Sequence, residues 1–301
     1  MTMLNNDKEL VSAVITTHNR LDYLKKAIES VLSQTYPYIE CIVISDASTD
    51  GTDNYCNSRD DIKYISIPKS ESHGGNYARN LGIKAAKGQY VAFLDDDDAW
   101  MPTKIEKQVS LLKEKKCECV YCLRNYEVVY DGEIIKHYVE SIKYKIEGDI
   151  SKKIFRHFIT STSCILATKN ILDKIGGFDI DLYKIQEYEL LIRISQLTEI
   201  YYYHNEPLVV YTIDRSDKSR ISNDPNRLPK AKKYIENKHK KLLIKSGLYN
   251  IFQFKYWMYR ALYRAAKRSH NKYALIKYGF YCFLTFPIST IIDFTTNATK
   301  S

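Results

Sequence analysis

The apolar positions in the first 125 or so residues form short continuous runs separated by stretches of helical period. Val11-Ser12-Ala13-Val14-Ile15-Thr16, Cys41-Ile42-Val43-Ile44, Ile62 to Ile67 and Tyr90-Val91-Ala92-Phe93-Leu94 read as strands. Leu21 to Gln34 puts Leu21, Leu24, Ile28, Val31 and Leu32 on one face, and Gly75 to Ala86 and Thr103 to Lys115 also read as helices. Strands that are apolar throughout and alternate with helices predict an α/β fold with a parallel sheet covered on both faces. In such sheets ligands bind beyond the carboxyl ends of the strands. Thr16 to Arg20, Asp46 to Gly51 and Asp95 to Asp98 fall at such ends, so three polar clusters should converge on one edge.

Residues 118 to 168 look strand-rich, with a hairpin signal at Asp131-Gly132. Gly176-Gly177-Phe178 breaks the chain before a helix over Gln186 to Gln196, and Pro207 to Ile213 reads as a further strand. Beyond Asn226 the pattern is helical. The expected organisation is a unit over 1–225, divided near 125, followed by a helical segment over 226–301.

Charge separates these parts. Residues 227 to 277 carry 15 Lys/Arg and one acid, Glu236, whereas residues 1 to 226 carry 29 Lys/Arg and 34 Asp/Glu. An acidic first part joined to a basic segment points to an anionic partner for the latter. Seven Cys is an odd number and argues against a disulfide framework. Cys117, Cys119 and Cys122 have no matching second Cys/His pair, so they read as buried thiols rather than a zinc site. The start, Met1 to Glu9, is polar and lacks the apolar core of a leader. A reducing cytoplasm is the expected location.

The densest chemistry is Asp95-Asp96-Asp97-Asp98, at the end of an apolar run. Four adjacent carboxylates repel one another. A hard divalent cation shared with phosphate oxygens would compensate them, and a solvated acidic loop is the alternative. Asp46 to Thr52 reads as a polar loop in which Asp46 can accept from an N–H donor such as a pyrimidine N3. A turn in which Ser48 or Asp50 caps the next helix fits it as well. His73 to Asn80 opens a helix with Gly74 and Gly75, where backbone can approach phosphate closely and Arg79 could face a diphosphate. Glu187 and Glu189 flank Tyr188. Residues two apart on a helix diverge, so at most one of them should face a site.

Taken together, these motifs resemble family 2 glycosyltransferases over about residues 9 to 220. The matching runs, in order, are Thr16-Thr17-His18-Asn19-Arg20, Ser45 to Thr52, Ala78-Arg79-Asn80-x-Gly82 and Phe93 to Asp98 with Trp100. Gly176-Gly177-Phe178-Asp179 and Gln186-Glu187-Tyr188-Glu189-Leu190 complete the series. The resemblance implies a GT-A type nucleotide-binding fold with a mostly parallel central sheet, here followed by a C-terminal helical appendage. It also implies a nucleotide-sugar donor, Mn²⁺ or Mg²⁺, and inversion at the anomeric carbon. By position, Thr16, His18 and Arg20 hold the nucleotide, Asp46 reads the base and Arg79 lies near the donor. Asp95 and Asp97 are the two acids of the D-x-D element, with Asp97 on the metal and Asp95 toward ribose and metal shell. Asp96 is the variable middle position, Asp98 shapes the turn into Trp100, and Glu187 is the catalytic base. Glu187 stands where the family commonly has Asp, and Asp214 where many relatives have His. The Asp46 match suggests UDP.

The C-terminal segment mixes Phe252, Phe254, Tyr256, Trp257 and Tyr259 with Arg260, Arg264, Lys267 and Arg268. Such a segment can lie in the interface of an anionic membrane or pack on the catalytic unit with a basic outer face. The first reading makes the protein peripheral on the inner face of the cell membrane, beside a lipid-diphosphate-linked saccharide acceptor of surface-polysaccharide synthesis. No nucleic-acid-binding motif is present. Two other functions compete. A nucleotidyltransferase of related fold would need a glycine-rich loop after the first strand, where Thr16 to Arg20 has none. A non-catalytic nucleotide-sugar-binding module would need no base.

Overall fold

The computed structural model describes residues 9–142, 145–216, 224 and 226–298; the polar start at 1–8 lies outside them. Strands β1 (Val11–Thr17), β2 (Ile39–Asp46), β3 (Lys63–Ile67) and β4 (Tyr90–Asp95) run parallel in the order β3-β2-β1-β4. Every residue of β1 is buried, which is why its sequence does not alternate. Helices α1 (Leu21–Leu32), α2 (Thr52–Asn57), α3 (Gly75–Ala85) and α4 (Lys104–Lys115) link and cover the strands.

Successive β1 side chains feed two separate cores. Ala13 and Ile15 pack with Leu24, Ile28 and Ile105, while Val14 packs with Ile42, Ala78 and Phe93. On the second face α3 sits so close that a Cβ on Gly82 would lie 2.2 Å from Val14 Cγ1.

The sheet continues from β4 through β8 (Ile165–Thr168), β6 (Cys119–Tyr130) and β9 (Ile200–Asp214) to β5 (Ala99–Trp100), and β7 (Glu133–Val139) pairs with β6. β8 runs antiparallel to β4 and β6, and β6 and β9 are parallel. Parallel ladders pair more residues than antiparallel ones, in keeping with the mostly parallel sheet expected. Helices α5 (Lys169–Ile175) and α6 (Gln186–Ile194) follow β8. β9 begins seven residues before the predicted Pro207. Tyr201 to Tyr203 already pair with Val120 to Cys122, and the register shifts where Pro207 meets Leu123. A proline has no N–H for the ladder, so it sits at such an irregularity.

The basic segment forms α7 (Arg227–Lys238), α8 (Lys240–Lys245), α9 (Leu248–Arg268) and α10 (Lys272–Ala298). Ala231, Ile235, Leu243, Phe254 and Met258 join the core that contains Leu190 and Phe155. The Trp257 ring meets Tyr188 edge-on at 5.1 Å, and its Nε1 donates to the Phe155 carbonyl at 3.0 Å. α10 packs on α9 through Tyr259 and Tyr281, stacked at 4.8 Å, and turns Tyr273, Ile276, Phe280 and Phe283 outward. Among the described residues no helix is long and apolar enough to cross a membrane.

Candidate functional site

The carboxyl ends of β1, β2 and β4 lie side by side. Register puts Thr16 next to Asp95 and Thr17 next to Ser45. A cleft of about 730 Å³ opens over that edge. Thr16, His18, Arg20, Asp46, Arg79, Asp95, Asp96, Asp97 and Glu187 all line it, so the fold brings together every candidate taken from the sequence.

Arg79 is the best anchored of these. Its Nη2 donates to Asp95 Oδ1 at 2.5 Å, and its guanidinium lies over the Phe178 ring at 5.5 Å. Phe178 is fixed in turn by α3. Asn80 donates to the Phe178 carbonyl at 2.8 Å and accepts from its N–H at 2.7 Å. Gly177 makes this clasp possible. It has φ +68°, and a Cβ there would stand 2.3 Å from Asn80 Oδ1. Asn76 extends the clasp, donating to the carbonyls of Asp179 and Leu182 at 2.7 and 2.6 Å. The loop that leads into α6 is therefore held by the helix that carries Arg79.

The four acids of the tetrad have different surroundings. Asp95 and Asp97 keep side-chain exposures of 27% and 16%. Asp96 is buried, and burial with the adjacent Asp97 charge pushes it up to about 7. Arg20 Nη1 reaches Asp97 at 3.3 Å and Asp96 at 3.4 Å. Asp98 is fully enclosed; it accepts from Ser163 Oγ at 2.5 Å and from the Thr212 N–H at 3.1 Å, and burial raises its carboxyl well above the usual range. Asp98 thus ties the end of β4 to β9 and to the turn before β8. Asp95 and Asp97 are left as the more exposed pair at the cleft.

This donor set is all oxygen, the kind that suits a hard cation such as Mg²⁺ or Mn²⁺. Among the described residues no three His, Cys, Asp or Glu side chains form a ready-made cage. An ion here would need phosphate oxygens to fill its shell, which is the habit of Mg²⁺ at nucleotide sites. On these grounds the residues fit a divalent ion bound together with a diphosphate.

On the β2 side, Asp46 is buried and its Oδ1 has no hydrogen-bond partner. His18 Nδ1 bonds the Asp46 carbonyl. Ser48 caps no helix, since its Oγ accepts from the Asn19 N–H at 3.0 Å and so joins the first two loops. Asp50 accepts from the N–H of Leu21 at 2.9 Å and from Thr52 Oγ1 at 2.7 Å, holding the starts of α1 and α2.

Glu187 and Glu189 diverge as their spacing predicted. Glu187 lines the cleft, with its Oε2 buried and without a partner, and burial pushes its carboxyl up to about 7. Glu189 points away into α7. Burial would raise it, but His239 Nε2 at 3.0 Å, the Arg193 fork and Lys238 Nζ at 2.8 Å hold it down at about 2. The residue before α6, Ile185, has φ +53°, a strained setting for a β-branched side chain, and it too lines the cleft.

The sequence did not single out Asn76, Ser163, Lys184 or Arg227 as cleft or supporting residues. Asn76, Lys184 and Arg227 line the cleft and Ser163 braces it. Asp214 does not line it; its carboxylate accepts from Tyr23 Oη at 2.5 Å and from the Ser216 N–H at 2.8 Å.

Comparison with known proteins agrees with this geometry. The profile of Glycosyl transferase family 2 matches residues 12–176. UDP-Glc:alpha-D-GlcNAc-diphosphoundecaprenol beta-1,3-glucosyltransferase WfaP of Escherichia coli is 42% identical over 123 residues, covering 41% of this chain and 48% of that protein. The matches span about half to five-eighths of the length of the relatives, at 63%, 61% and 48%. Among solved structures, S. aureus TarS 1-349 in complex with UDP-GlcNAc aligns with TM-score 0.59 at 16% identity, covering 86% of this chain and 83% of that one. Mannosyltransferase PcManGT from Pyrobaculum calidifontis, in complex with GDP-Man and Mn2+, aligns with TM-score 0.58 at 15% identity, covering 93% and 83%. At such identities the likeness is one of fold, and that fold is GT-A. The profile covers more than half of the chain, and its span holds the loops after β1, β2 and β4 that line the cleft: this protein belongs to glycosyl transferase family 2.

Proposed function

We propose that the protein transfers a sugar, with inversion, from a nucleoside diphosphate donor, UDP first among them, to a hydroxyl of a lipid-diphosphate-linked saccharide. One observation carries this reading above the others. Glu187 is buried with a carboxylate oxygen unpartnered, in the same cleft as Asp95 and Arg79. A buried carboxylate with no partner is costly unless something uses it. An incoming hydroxyl would supply the missing hydrogen bond and then give up its proton to Glu187. The acceptor oxygen bonds to the anomeric carbon as the bond to the β-phosphate oxygen breaks on the opposite face. A base with its carboxyl near neutrality suits this task, and such a group contributes roughly 10²–10⁴-fold.

Asp97, with Asp95, would hold Mn²⁺ or Mg²⁺, which when bound supplies positive charge to the departing diphosphate. Arg79, fixed by Phe178 and Asp95, adds charge on the same side. Thr16, His18 and Arg20 would hold the nucleotide, and the unpartnered Asp46 Oδ1 can accept from the N3–H of a pyrimidine. Support for UDP and for a lipid-diphosphate acceptor comes from the name of the Escherichia coli relative and from the UDP-GlcNAc complex of the S. aureus neighbour; Mn²⁺ is supported by the Pyrobaculum complex. The outward aromatic face of α10 and the basic residues of α9 would rest on an anionic membrane, where such acceptors reside. This makes the protein peripheral on the inner face of the membrane.

A panel of nucleotide sugars, assayed with Mn²⁺ and a GlcNAc-diphosphate lipid, tests the reading. Release of UDP that depends on one donor and on the acceptor supports it, and no turnover across the panel opposes it.

A further inference from the structure

Asn76 lies one turn before Arg79 on α3, and its side chain bonds in two directions. Its Oδ1 accepts from Arg79 Nη1 at 3.3 Å. Its Nδ2 donates to the Asp179 carbonyl at 2.7 Å and to the Leu182 carbonyl at 2.6 Å. Only one orientation of the amide satisfies these partners, since a carbonyl only accepts and a guanidinium only donates. Asn76 is buried, so the bonds lie where water competes little. Asp179 and Leu182 are the two ends of a turn, closed by the Leu182 N–H on the Asp179 carbonyl at 3.3 Å. The crown of that turn, Ile180 and Asp181, is exposed, as is Tyr183 just after it. From α7, Tyr234 Oη at 2.8 Å and Lys238 bond the Asp179 carboxylate. From α3, the Asn76 amide spans both ends of the turn. Glu187 follows Leu182 by five residues, and Ile185, with φ +53°, lies between them. A chain held in such a strained conformation needs fixed surroundings.

We propose that Asn76 is a positioning residue for Glu187: by tying both ends of the Asp179–Leu182 turn to α3, it sets the Glu187 carboxylate at a fixed place relative to Arg79. This rests on the reading above that Glu187 is the base of a sugar transfer. In that reading Arg79 serves the departing diphosphate and Glu187 the attacking hydroxyl, on opposite faces of the anomeric carbon. An in-line displacement needs the two at one spacing. A base must come within hydrogen-bond reach of the hydroxyl it deprotonates, and a misplacement of about 1 Å can cost ~10²-fold. The amide thus joins the two halves of the reaction through one buried side chain.

Steady-state kinetics on the full chain test this. The donor that turns over in the panel above is used with Mn²⁺ and the GlcNAc-diphosphate lipid, and each rate is counted per UDP-binding site measured by calorimetry. Asn76→Ala should lower kcat for transfer by about tenfold or more. Donor KM and UDP affinity should stay near the wild-type values, because Arg79 keeps Asp95 and Phe178. Hydrolysis of the donor should fall less than transfer, since water needs no placed acceptor. A merely structural role reduces the number of sites and leaves the rate per site unchanged, so a wild-type kcat per site overturns the proposal. UDP affinity that falls as far as kcat also overturns it, because the effect then acts through Arg79 at the donor. Asn76→Ser, which retains a hydroxyl donor, serves if the alanine variant does not fold; its kcat should fall less, and a wild-type kcat per site overturns the proposal there too. Wild-type protein without turnover across the panel removes the functional reading and the positioning role with it.

Discussion

Arg20 Nη1 stands 3.3 Å from Asp97 Oδ2 and 3.4 Å from Asp96 Oδ1. One guanidinium thus offsets two acids at the point where a divalent ion is proposed to bind. Arg20→Gln should cost about 1–3 kcal/mol of stability in metal-free buffer, the range for a hydrogen bond to a charged group in a partly buried setting. With saturating Mn²⁺ the loss should shrink, because a cation bound only by the folded state stabilises it and takes over the compensation. Urea denaturation with and without Mn²⁺ measures both values. An equal loss in the two conditions would separate Arg20 from the metal site.

Glu187 makes stability depend on pH in a direction unusual for a carboxylate. Its folded value, about 7, lies above the ordinary 4.5, so the folded state binds the extra proton between those values. Stability from this group is fully present below pH 4.5 and is lost as pH rises through 7. Glu187→Gln keeps the shape and removes the charge. It should be more stable than wild type at pH 8, by at most about 2–3 kcal/mol, and similar at pH 4. Thermal denaturation across that range checks the sign, and a variant less stable at pH 8 would go against it.

Glu189 behaves in the opposite way. Its value of about 2 lies below 4.5, so its contribution is present above pH 4.5 and disappears as pH falls toward 2. Glu189→Gln leaves Arg193, Lys238 and His239 facing a neutral amide. It should cost about 3–5 kcal/mol at neutral pH, as for removal of one partner from a buried ion pair. Its stability should also fall less steeply than that of wild type in acid, which a denaturation series from pH 6 to 2 would show.

Gly82→Ala should cost about 1–3 kcal/mol through overpacking against Val14. The double variant with Val14→Ala should recover part of that loss, because neighbours in contact are not additive. A fully additive double variant would mean that α3 moves off β1 instead.

The edge of the sheet that carries the cleft was legible because short apolar runs announce buried parallel strands, and the residues after them must then lie at one edge. Thr16, Asp46 and Asp95 could be placed together on that argument alone. The split between Glu187 and Glu189 followed from helix geometry. The supports could not be read in the same way. Asn80 is a polar residue in a helix until Phe178 arrives 98 positions later to meet it. Ser163 shows no local signal that it will bond Asp98. The basic segment read as either a membrane-facing or a packed piece, because aromatic and cationic residues alternate along it. Its apolar partners, Phe155 and Tyr188, lie far away in the chain. The early start of β9 was hidden by His204-Asn205-Glu206, an exposed polar stretch that separates Tyr201 to Tyr203 from Pro207.

Glu187 is proposed as the base of a sugar transfer in this cleft. Turnover and UDP binding, measured side by side for wild type and Glu187→Gln, test it most directly. Turnover should fall by about 10²-fold or more in Glu187→Gln, with UDP affinity in Mn²⁺ unchanged. Wild-type turnover by Glu187→Gln would contradict it.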